Sequence, residues 1–441
     1  MLSRFAAVAV LVLFSAPVWA GGVYWTDRGA SQLKRMSFDG SNLQTIPLSG
    51  AVTSPGSNIR GLAVDGSSNR LFWADNGLDR LLRANLDGSG STILYTVPGG
   101  NSFPADVRLD LANQVFYWCD QLRNVIQRSN LDGANVVNVI TNAAATGPYF
   151  MDLDLAAGKI YWGDFGGGAI YRANLDGSSR ETLLTGNNNT RGVRVDPRGQ
   201  MLYWINRDDK KVHRCPLAAF TGGTIPLTHP AVQTLYTNLD TPHGLALDLR
   251  ARKLYWADTG TNPGNGEGGQ SICRGDIDGS TPLEILATGL EPWDVDLDLR
   301  CADYAEWTRR CFRRDANPSD TAPGADPDGD GIPNAVEYAL DLPPLYADRS
   351  ELPAGFIAVG PTQADYHAIT YRRRLGASDL TYAVEVSTNL TQWTGNNPVP
   401  TTVELLPVPL GDGMEAATAR TLYTITGRPA HFLRLVVTLA P

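Results

Sequence analysis

Six short stretches of this chain share one rhythm of apolar and polar positions, and each ends on aspartate: "RGLAVD", "ADVRLD", "YFMDLD", "RGVRVD", "HGLALD" and "WDVDLD". Alternation with a period of two predicts strands with two distinct faces. Shortly after each of the first five comes a second apolar run built around an aromatic-Trp pair, and one such run, "VYWTD", also stands alone near the start. A third run then carries an arginine and closes on "FDG", "LDG" or "IDG". Asp-Gly supplies the positive φ that a tight hairpin connection needs. The pattern therefore predicts several short antiparallel strands per unit.

The units repeat. The aromatic-Trp pairs are Tyr24-Trp25, Phe72-Trp73, Tyr117-Trp118, Tyr161-Trp162, Tyr203-Trp204 and Tyr255-Trp256, with successive Trp residues 48, 45, 44, 42 and 52 apart. Asp27, Asp75, Asp120, Asp164 and Asp258 follow two positions after Trp, and the fifth copy has Asn206. Arg35, Arg83, Arg128, Arg172 and Arg214 follow ten positions after Trp; in the sixth copy Arg274 is displaced by the insert "TNPGNGEGG". The fifth copy also replaces the Asp-Gly turn with "AAFTGG". A single four-stranded sheet cannot bury both faces, so such units stack radially. The fold class expected is all-β, a six-bladed β-propeller over residues 21–300. The first unit lacks its leading strand and "WDVDLD" at 293–298 has no Tyr-Trp strand after it, so the last strand is expected to complete the first blade.

On these residues, 22 to about 300 resemble the YWTD, or low-density-lipoprotein-receptor class B, propeller. The resemblance implies that the motif residues are scaffold, with aromatics filling the space between blades and Asp and Arg holding backbone groups or each other. It also implies a recognition platform. Unlike the receptors, this chain has no Cys-rich growth-factor-like module after the propeller, so their membrane role does not carry over.

The opening "MLSRFAAVAVLVLFSAPVWA" has Arg4, an apolar run and Val18-Trp19-Ala20, the pattern of a secretory signal peptide over residues 1–20. No later apolar run reaches the roughly 18 residues a transmembrane helix needs. The expected location is therefore secreted, periplasmic or cell-surface. The net charge of −9 argues against a nucleic-acid partner, which needs a basic stripe. Among five cysteines, Cys301 and Cys311 are the disulfide candidate, while Cys119, Cys215 and Cys273 are expected as buried thiols.

After residue 300 the composition changes. A connector over 301–345 holds a helical stretch, "YAEWTRRCF", and then "DPDGDGIPNAVE". Asp326, Asp328, Asp330, Asn334 and Glu337 occupy positions 1, 3, 5, 9 and 12 of a calcium loop; Gly331 makes the turn and the Ile332 carbonyl fits position 7. The pattern resembles the solitary loops of thrombospondin type 3 and dockerin-like modules, and makes calcium the expected cofactor. Residues 352–441 alternate in strands and read as a small β-sandwich. They resemble a C-terminal module on exported proteins of verrucomicrobial-type bacteria, which implies no activity. "Asn389-Leu390-Thr391" and "Arg274-Gly275-Asp276" match short motifs that are frequent by chance, and the second falls on an expected strand.

Aligning the six inner strands places Arg60, Ala105, Tyr149, Arg191, His243 and Trp293 around one mouth of the channel, with Arg191 exposed there. Two arginines, aromatics and one histidine make a poor metal cage but suit a protein, peptide or glycan ligand. Trp293 is the one propeller Trp outside the repeated motif, so it is either a ligand anchor or a channel plug. Two positions after the next residue come Ala63, Arg108, Asp152, Arg194, Ala246 and Asp296, read as a salt ladder between blades. No G-x-S-x-G occurs, and of His213, His229, His243, His367 and His431 only His243 reaches the mouth. A binder is favoured over a lactonase- or lyase-like enzyme at the channel, and over a purely structural envelope protein.

Overall fold

A computed structural model describes residues 21–48, 55–142, 147–260, 270–360, 363–396, 401–426 and 431–440. The signal-peptide reading at 1–20 and the insert at 261–269 lie outside the described residues.

Six antiparallel sheets follow one another along residues 22–298. Their inner strands are Ile59–Asp65, Pro104–Asp110, Pro148–Asp154, Thr190–Asp196, Pro242–Asp248 and Pro292–Asp298. These touch one another in a closed cycle, the strand Pro292–Asp298 meeting Ile59–Asp65. The architecture is that of a β-propeller. The ring closes as the offset in the repeats implied: Pro292–Asp298 pairs antiparallel with Gly22–Asp27, setting Asp296 opposite Tyr24 and Val295 opposite Trp25. The fourth sheet gains an edge strand, Ile225–Pro226, parallel to Glu181–Thr185. It follows directly on the "AAFTGG" segment, where a turn of 3-10 helix over Leu217–Phe220 buries Phe220.

The motif residues are scaffold in specific ways. All six repeated Trp side chains are buried. The motif aspartates hold the loop that leads into the inner strand of their own sheet: Asp75 accepts from the Asn58 N–H at 2.8 Å, Asp120 from Phe103 at 3.0 Å and Asp258 from Thr241 at 2.6 Å. The spaced arginines reach the next sheet. Arg214 donates to the Ile277 carbonyl and Arg274 to that of Phe38, both at 3.1 Å, and both carbonyls open an Asp-Gly turn. The inner strands approach so closely that a Cβ on Gly61 would lie 2.3 Å from the Asp106 Cα.

The connector carries helices α1 (Tyr304–Cys311) and α2 (Asn334–Leu340). Asp303 caps α1 by accepting from the Glu306 N–H. α2 ends on Asp341 in the left-handed conformation, φ 56°. The Asp341 carboxylate lies 3.1 Å from Arg310, 3.0 Å from Arg374, 3.7 Å from Arg372 and 3.8 Å from Arg250. Although burial opposes ionisation, these four guanidinium groups hold it well below the usual carboxylate range. Arg310 in turn grips Asp248, the last residue of an inner strand, through two bonds of 2.6 and 2.7 Å. One ionic network thus ties the propeller, the connector and the C-terminal strands.

The Cys301–Cys311 disulfide is not formed: both are free buried thiols. They pack in one cluster with the indole of Trp307, and the Cys301 sulfur faces the Leu299 carbonyl at 3.8 Å instead of its expected partner. Here they act as small apolar groups, and burial pushes the Cys301 thiol up to about 11. Cys119, Cys215 and Cys273 are likewise buried thiols, as expected. Beyond the connector, a five-stranded sheet containing Asp365–Arg374 and Met414–Thr424 faces the pair Leu380–Ser387 and Phe432–Leu439 across Ile369, Tyr371, Val384 and Ala419.

Closure by Pro292–Asp298 makes a direct prediction. A fragment ending at residue 288 leaves the first sheet with an open edge and should unfold or aggregate, whereas one ending at 345 should keep the propeller folded. Far-ultraviolet circular dichroism and thermal melting of the two fragments check this; a cooperatively folded 21–288 fragment would contradict it.

Candidate functional site

Each mouth residue is the second residue of its inner strand, and pairing breaks register just beyond it. The shifts fall between Ile59 and Leu62, Pro148 and Met151, Arg191 and Arg194, and Pro242 and Leu245. A bulge at this point re-aims a side chain. With the further shift between Pro292 and Val295, five of these side chains cluster together. His243 stacks on Trp293 with ring centroids 3.8 Å apart, and the Arg60 guanidinium lies 4.0 Å from the Trp293 ring centre. Tyr149 meets the Trp293 edge at 6.4 Å, and Arg191 lies 4.3 Å from the Tyr149 ring.

The structure therefore brings Arg60, Tyr149, Arg191, His243 and Trp293 together, but as a recessed floor and not an open ring. Arg191 is only 2% exposed, which corrects its expected exposure; its Nη1 donates to the Thr190 carbonyl at 2.9 Å, drawing the side chain down beside its own strand. Trp293 is 7% exposed and packs into a core cluster with Tyr149 and Phe150. Sequence alignment of inner strands missed the wall and rim. Phe103 and Phe165 pack on Tyr149, Arg28 reaches over Trp293 at 5.2 Å, and the charge of Arg207 acts on Tyr149.

The electrostatics are one-sided. Burial, together with Arg191, Arg207, Arg60 and Arg28, drives the His243 imidazole well below its ordinary value, so it is neutral near pH 7. Burial also pushes the Arg60 and Arg191 guanidinium groups down to about 10, which still leaves them charged. Among the described residues no ion pair is formed by Arg28, Arg60, Arg191 or Arg207. The buried Arg60 Nε and Nη1, Arg191 Nε, His243 Nδ1 and Trp293 Nε1 have no hydrogen-bond partner.

Beneath this floor lies the salt ladder, denser than the alignment implied. Arg108 reaches Asp106 at 3.0 Å, Asp294 at 3.8 Å and Asp152 at 4.0 Å, and Arg194 reaches Asp294 at 3.6 Å. Each carboxylate also accepts a backbone N–H from the neighbouring inner strand: Asp294 from Leu62, Asp296 from Val64, Asp106 from Met151 and Asp152 from Val195. Burial outweighs Arg108 here, raising Asp106 and Asp294 and pushing Asp152 up to about 7 and Asp296 up to about 6. On the opposite end, a cavity of about 620 Å³ lies beside Leu247, Leu249 and Tyr346. Its arginines are engaged, Arg198 and Arg250 with Glu351 and Arg252 with Asp278.

The loop 326–337 has the donors that calcium takes. Asp326, Asp328 and Asp330 place one carboxylate oxygen each within 4.8 Å of one another. The loop folds through their other contacts, with Asp326 accepting from the Gly331 N–H and Asp330 from that of Ile332. Asn334 spends its amide nitrogen on the carbonyls of Asp320 and Ala322, which leaves its buried Oδ1 without a partner. Asp328 Oδ2, Asp330 Oδ2 and Glu337 Oε2 are also buried and unpartnered. Burial and the three aspartates push Glu337 up to about 9, the signature of clustered oxygens lacking a counter-charge. All four orphaned atoms are oxygen donors, so the residues present fit a hard divalent cation.

Two outcomes follow. Trp293→Ala removes a side chain packed on both faces and should cost roughly 3–5 kcal/mol of propeller stability in denaturant unfolding; a loss under about 1 kcal/mol would mean that the ring is not part of the core. Chelator should lower the melting temperature of the connector and C-terminal strands and leave the propeller transition nearly unchanged. Calcium at about 100 times its Kd should restore about 2.7 kcal/mol. Identical calorimetric traces with calcium and with chelator would rule out the site.

No protein-family model matches this chain. Over 107 residues, 24% of its length, it is 26% identical to Protein cueball of Drosophila willistoni, and it spans only 15% of that protein. Among solved structures it is similar to a chain in a nidogen–laminin complex, with a TM-score of 0.52, 18% identity, and coverage of 63% of this chain and 98% of that one. It is also similar to virginiamycin B lyase from Staphylococcus aureus, with a TM-score of 0.44, 16% identity, and coverage of 62% and 84%. The likeness to the chain of the nidogen–laminin complex, at this identity, is one of fold: residues 22–298 form a β-propeller.

Proposed function

We propose that this chain is an exported recognition protein, secreted, periplasmic or held at the cell surface, whose six-bladed YWTD-type propeller binds a protein, peptide or glycan ligand at the mouth. In this reading residues 1–20 are a signal peptide, 21–300 recognise the ligand, 301–345 carry a calcium staple and 352–441 form an accessory β-sandwich. One observation carries it: the mouth holds buried N–H groups of Arg60, Arg191 and Trp293, and the Nδ1 of His243, that no other protein group bonds. Leaving such groups unpaired costs about 1–3 kcal/mol each, a cost that a ligand would relieve. The similar chain in the nidogen–laminin complex is itself part of a protein–protein assembly, which favours a protein partner.

Binding fits the mouth better than catalysis does. His243 is neutral and stacked, and the carboxylates below it are occupied by backbone N–H groups of the next sheet. Neither is free to exchange a proton with a substrate. Within the calcium site, Asp326, Asp328, Asp330, Asn334 and Glu337 would hold the ion together with the Ile332 carbonyl, and the ion would supply positive charge that fixes the start of α2.

Capture experiments test the reading. Immobilised mature protein, exposed to the culture supernatant and cell envelope of its source, should retain a saturable partner, and the Arg28→Ala, Arg207→Ala double variant should lose it while melting normally. These two rim arginines are exposed and half-buried, so their removal spares the core. Equal retention by the double variant would move the binding surface away from the mouth.

A further inference from the structure

We infer that two copies of this chain join through the edge strand Ala354–Val359, each pairing antiparallel with the other about a two-fold axis at Ile357. The strand closes one side of the five-stranded sheet beyond the connector. Among the described residues its one pairing partner is Asp365–Arg374, in an unbroken register from Ala354 opposite Thr370 to Val359 opposite Asp365. Five of its six residues are exposed, with Ile357 at 61% and Val359 at 64%. The two-stranded sheet that covers Ile369 and Tyr371 stops short of them.

The two edges of this sheet are built differently. On the far side the edge is split between two short strands, Thr402–Glu404 and Val408–Gly411, both paired to Met414–Thr424. It carries Pro409 with a register shift beside it, and Glu404 in an ion pair with Arg373 at 2.7 Å. Short length, proline, bulges and charge are the devices that keep a sheet edge from pairing with another chain. Ala354–Val359 has no charge, no proline and no bulge. Such an edge is a template for a further strand.

The backbone fixes which groups it offers. The Gly360 N–H donates to the Ala364 carbonyl at 2.9 Å, and the Ile425 N–H donates to the Asp365 carbonyl from the other side. By alternation, Phe356 and Ala358 turn their N–H and C=O groups into the sheet, while those of Gly355, Ile357 and Val359 point out from the edge. A two-fold axis at Ile357 uses all three outward residues and gives about six backbone hydrogen bonds. An axis at Phe356 or Ala358 would set Val359 against Pro353 or Gly355 against Pro361, and proline has no N–H to offer. The side chains fit the same register. Val359 lies across from Gly355 and Phe356 across from Ala358, each large group against a small one, while Ile357 packs on the partner's Ile357. A second copy of this chain is therefore the occupant that the strand matches residue by residue.

Six residues a side fall short of the roughly 20–30 of a standard interface, which sets dissociation in the micromolar range. Glu351, just before the strand, binds Arg198 and Arg250 of the propeller, so the strand runs away from its own propeller. Antiparallel pairing then sets the two propellers at opposite ends of the joined sheet. Where the mouth binds as proposed, the dimer doubles it; the pairing itself stands apart from that reading.

Sedimentation velocity on the full mature chain, residues 21–441, with calcium present, tests the pairing. From about 1 to about 200 µM the wild type should pass reversibly from monomer to dimer. Ile357→Lys and Ile357→Glu, each alone, set like charges against each other across the axis and should weaken association at least about tenfold. Both should melt as the wild type does, because Ile357 is exposed. Mixed in equal amounts they set lysine against glutamate, and the dimer should return. Under mild oxidation Ile357→Cys should cross-link two chains, its opposed Cα atoms lying about 5.5 Å apart, whereas Ala354→Cys, which would face Gly360, should not. The inference is overturned by a wild type that stays monomeric over the whole range, or by open-ended assemblies in place of a dimer. A dimer that Ile357→Lys leaves intact, no recovery on mixing, or equal cross-linking of the two cysteine variants overturns it as well.

Discussion

Carboxylates that leave their own strand to hold the backbone of the next one are the interaction on which this propeller depends. Asp294 and Asp296 take N–H groups from the strand Ile59–Asp65, Asp106 from Pro148–Asp154 and Asp152 from Thr190–Asp196. Backbone groups facing the axis have no ladder partner within their own sheet, and the side chain from the neighbour supplies one. The bonds from Asp294 and Asp296 span 232 residues in sequence, so they exist only once the last strand has closed the ring. Closure, inner-strand spacing and the direction of the mouth residues follow from the same contacts.

This arrangement separates the charges along the axis. The carboxylates are drawn down among the inner strands with Arg108 and Arg194, while the second residue of each strand, turned by its bulge, carries Arg60, Arg191 and the rings to the mouth. The result is a positive, aromatic floor over a layer of buried carboxyl groups that Arg108 and Arg194 bridge, within an acidic protein. At the other end of the inner strands, Asp248 is taken up by Arg310, and through Asp341 the connector and the C-terminal strands are tied on. The aromatic and arginine cluster of the mouth and the attachment of the connector therefore occupy opposite ends of one strand set.

Much of this was legible in the sequence, for physical reasons. The aromatic-Trp-x-Asp spacing survives because each blade must fill the same gap, and the offset of the first unit announced the closing strand. The five mouth positions could be read by aligning inner strands, since a ring repeats one position per blade. What alternation does not encode is a bulge, so the burial of Arg191 was missed. Asp106 and Asp294 were overlooked because they stand where other copies carry the glycines of Arg60-Gly61, Arg191-Gly192 and His243-Gly244. The Cys301–Cys311 pairing failed because nearness in sequence says nothing of the Trp307 indole around which both pack. The Asp341 hub was illegible, since its arginines at 250, 310, 372 and 374 come from three separate regions of the chain. The acidic loop 326–337, by contrast, is local, and its spacing alone brings the carboxylates of Asp326, Asp328 and Asp330 together.

That the mouth is the recognition surface is the central claim, and hydrogen exchange tests it most directly. Exchange read by mass spectrometry on the mature protein, free and saturated with its captured partner, maps the footprint without disturbing the fold. Slower exchange should appear at the mouth end, around residues 58–61, 147–150, 189–192, 241–244 and 291–294, with little change near Asp248 and Asp341. Protection confined to the connector end or to the C-terminal strands, with the mouth segments exchanging as in the free protein, would contradict it.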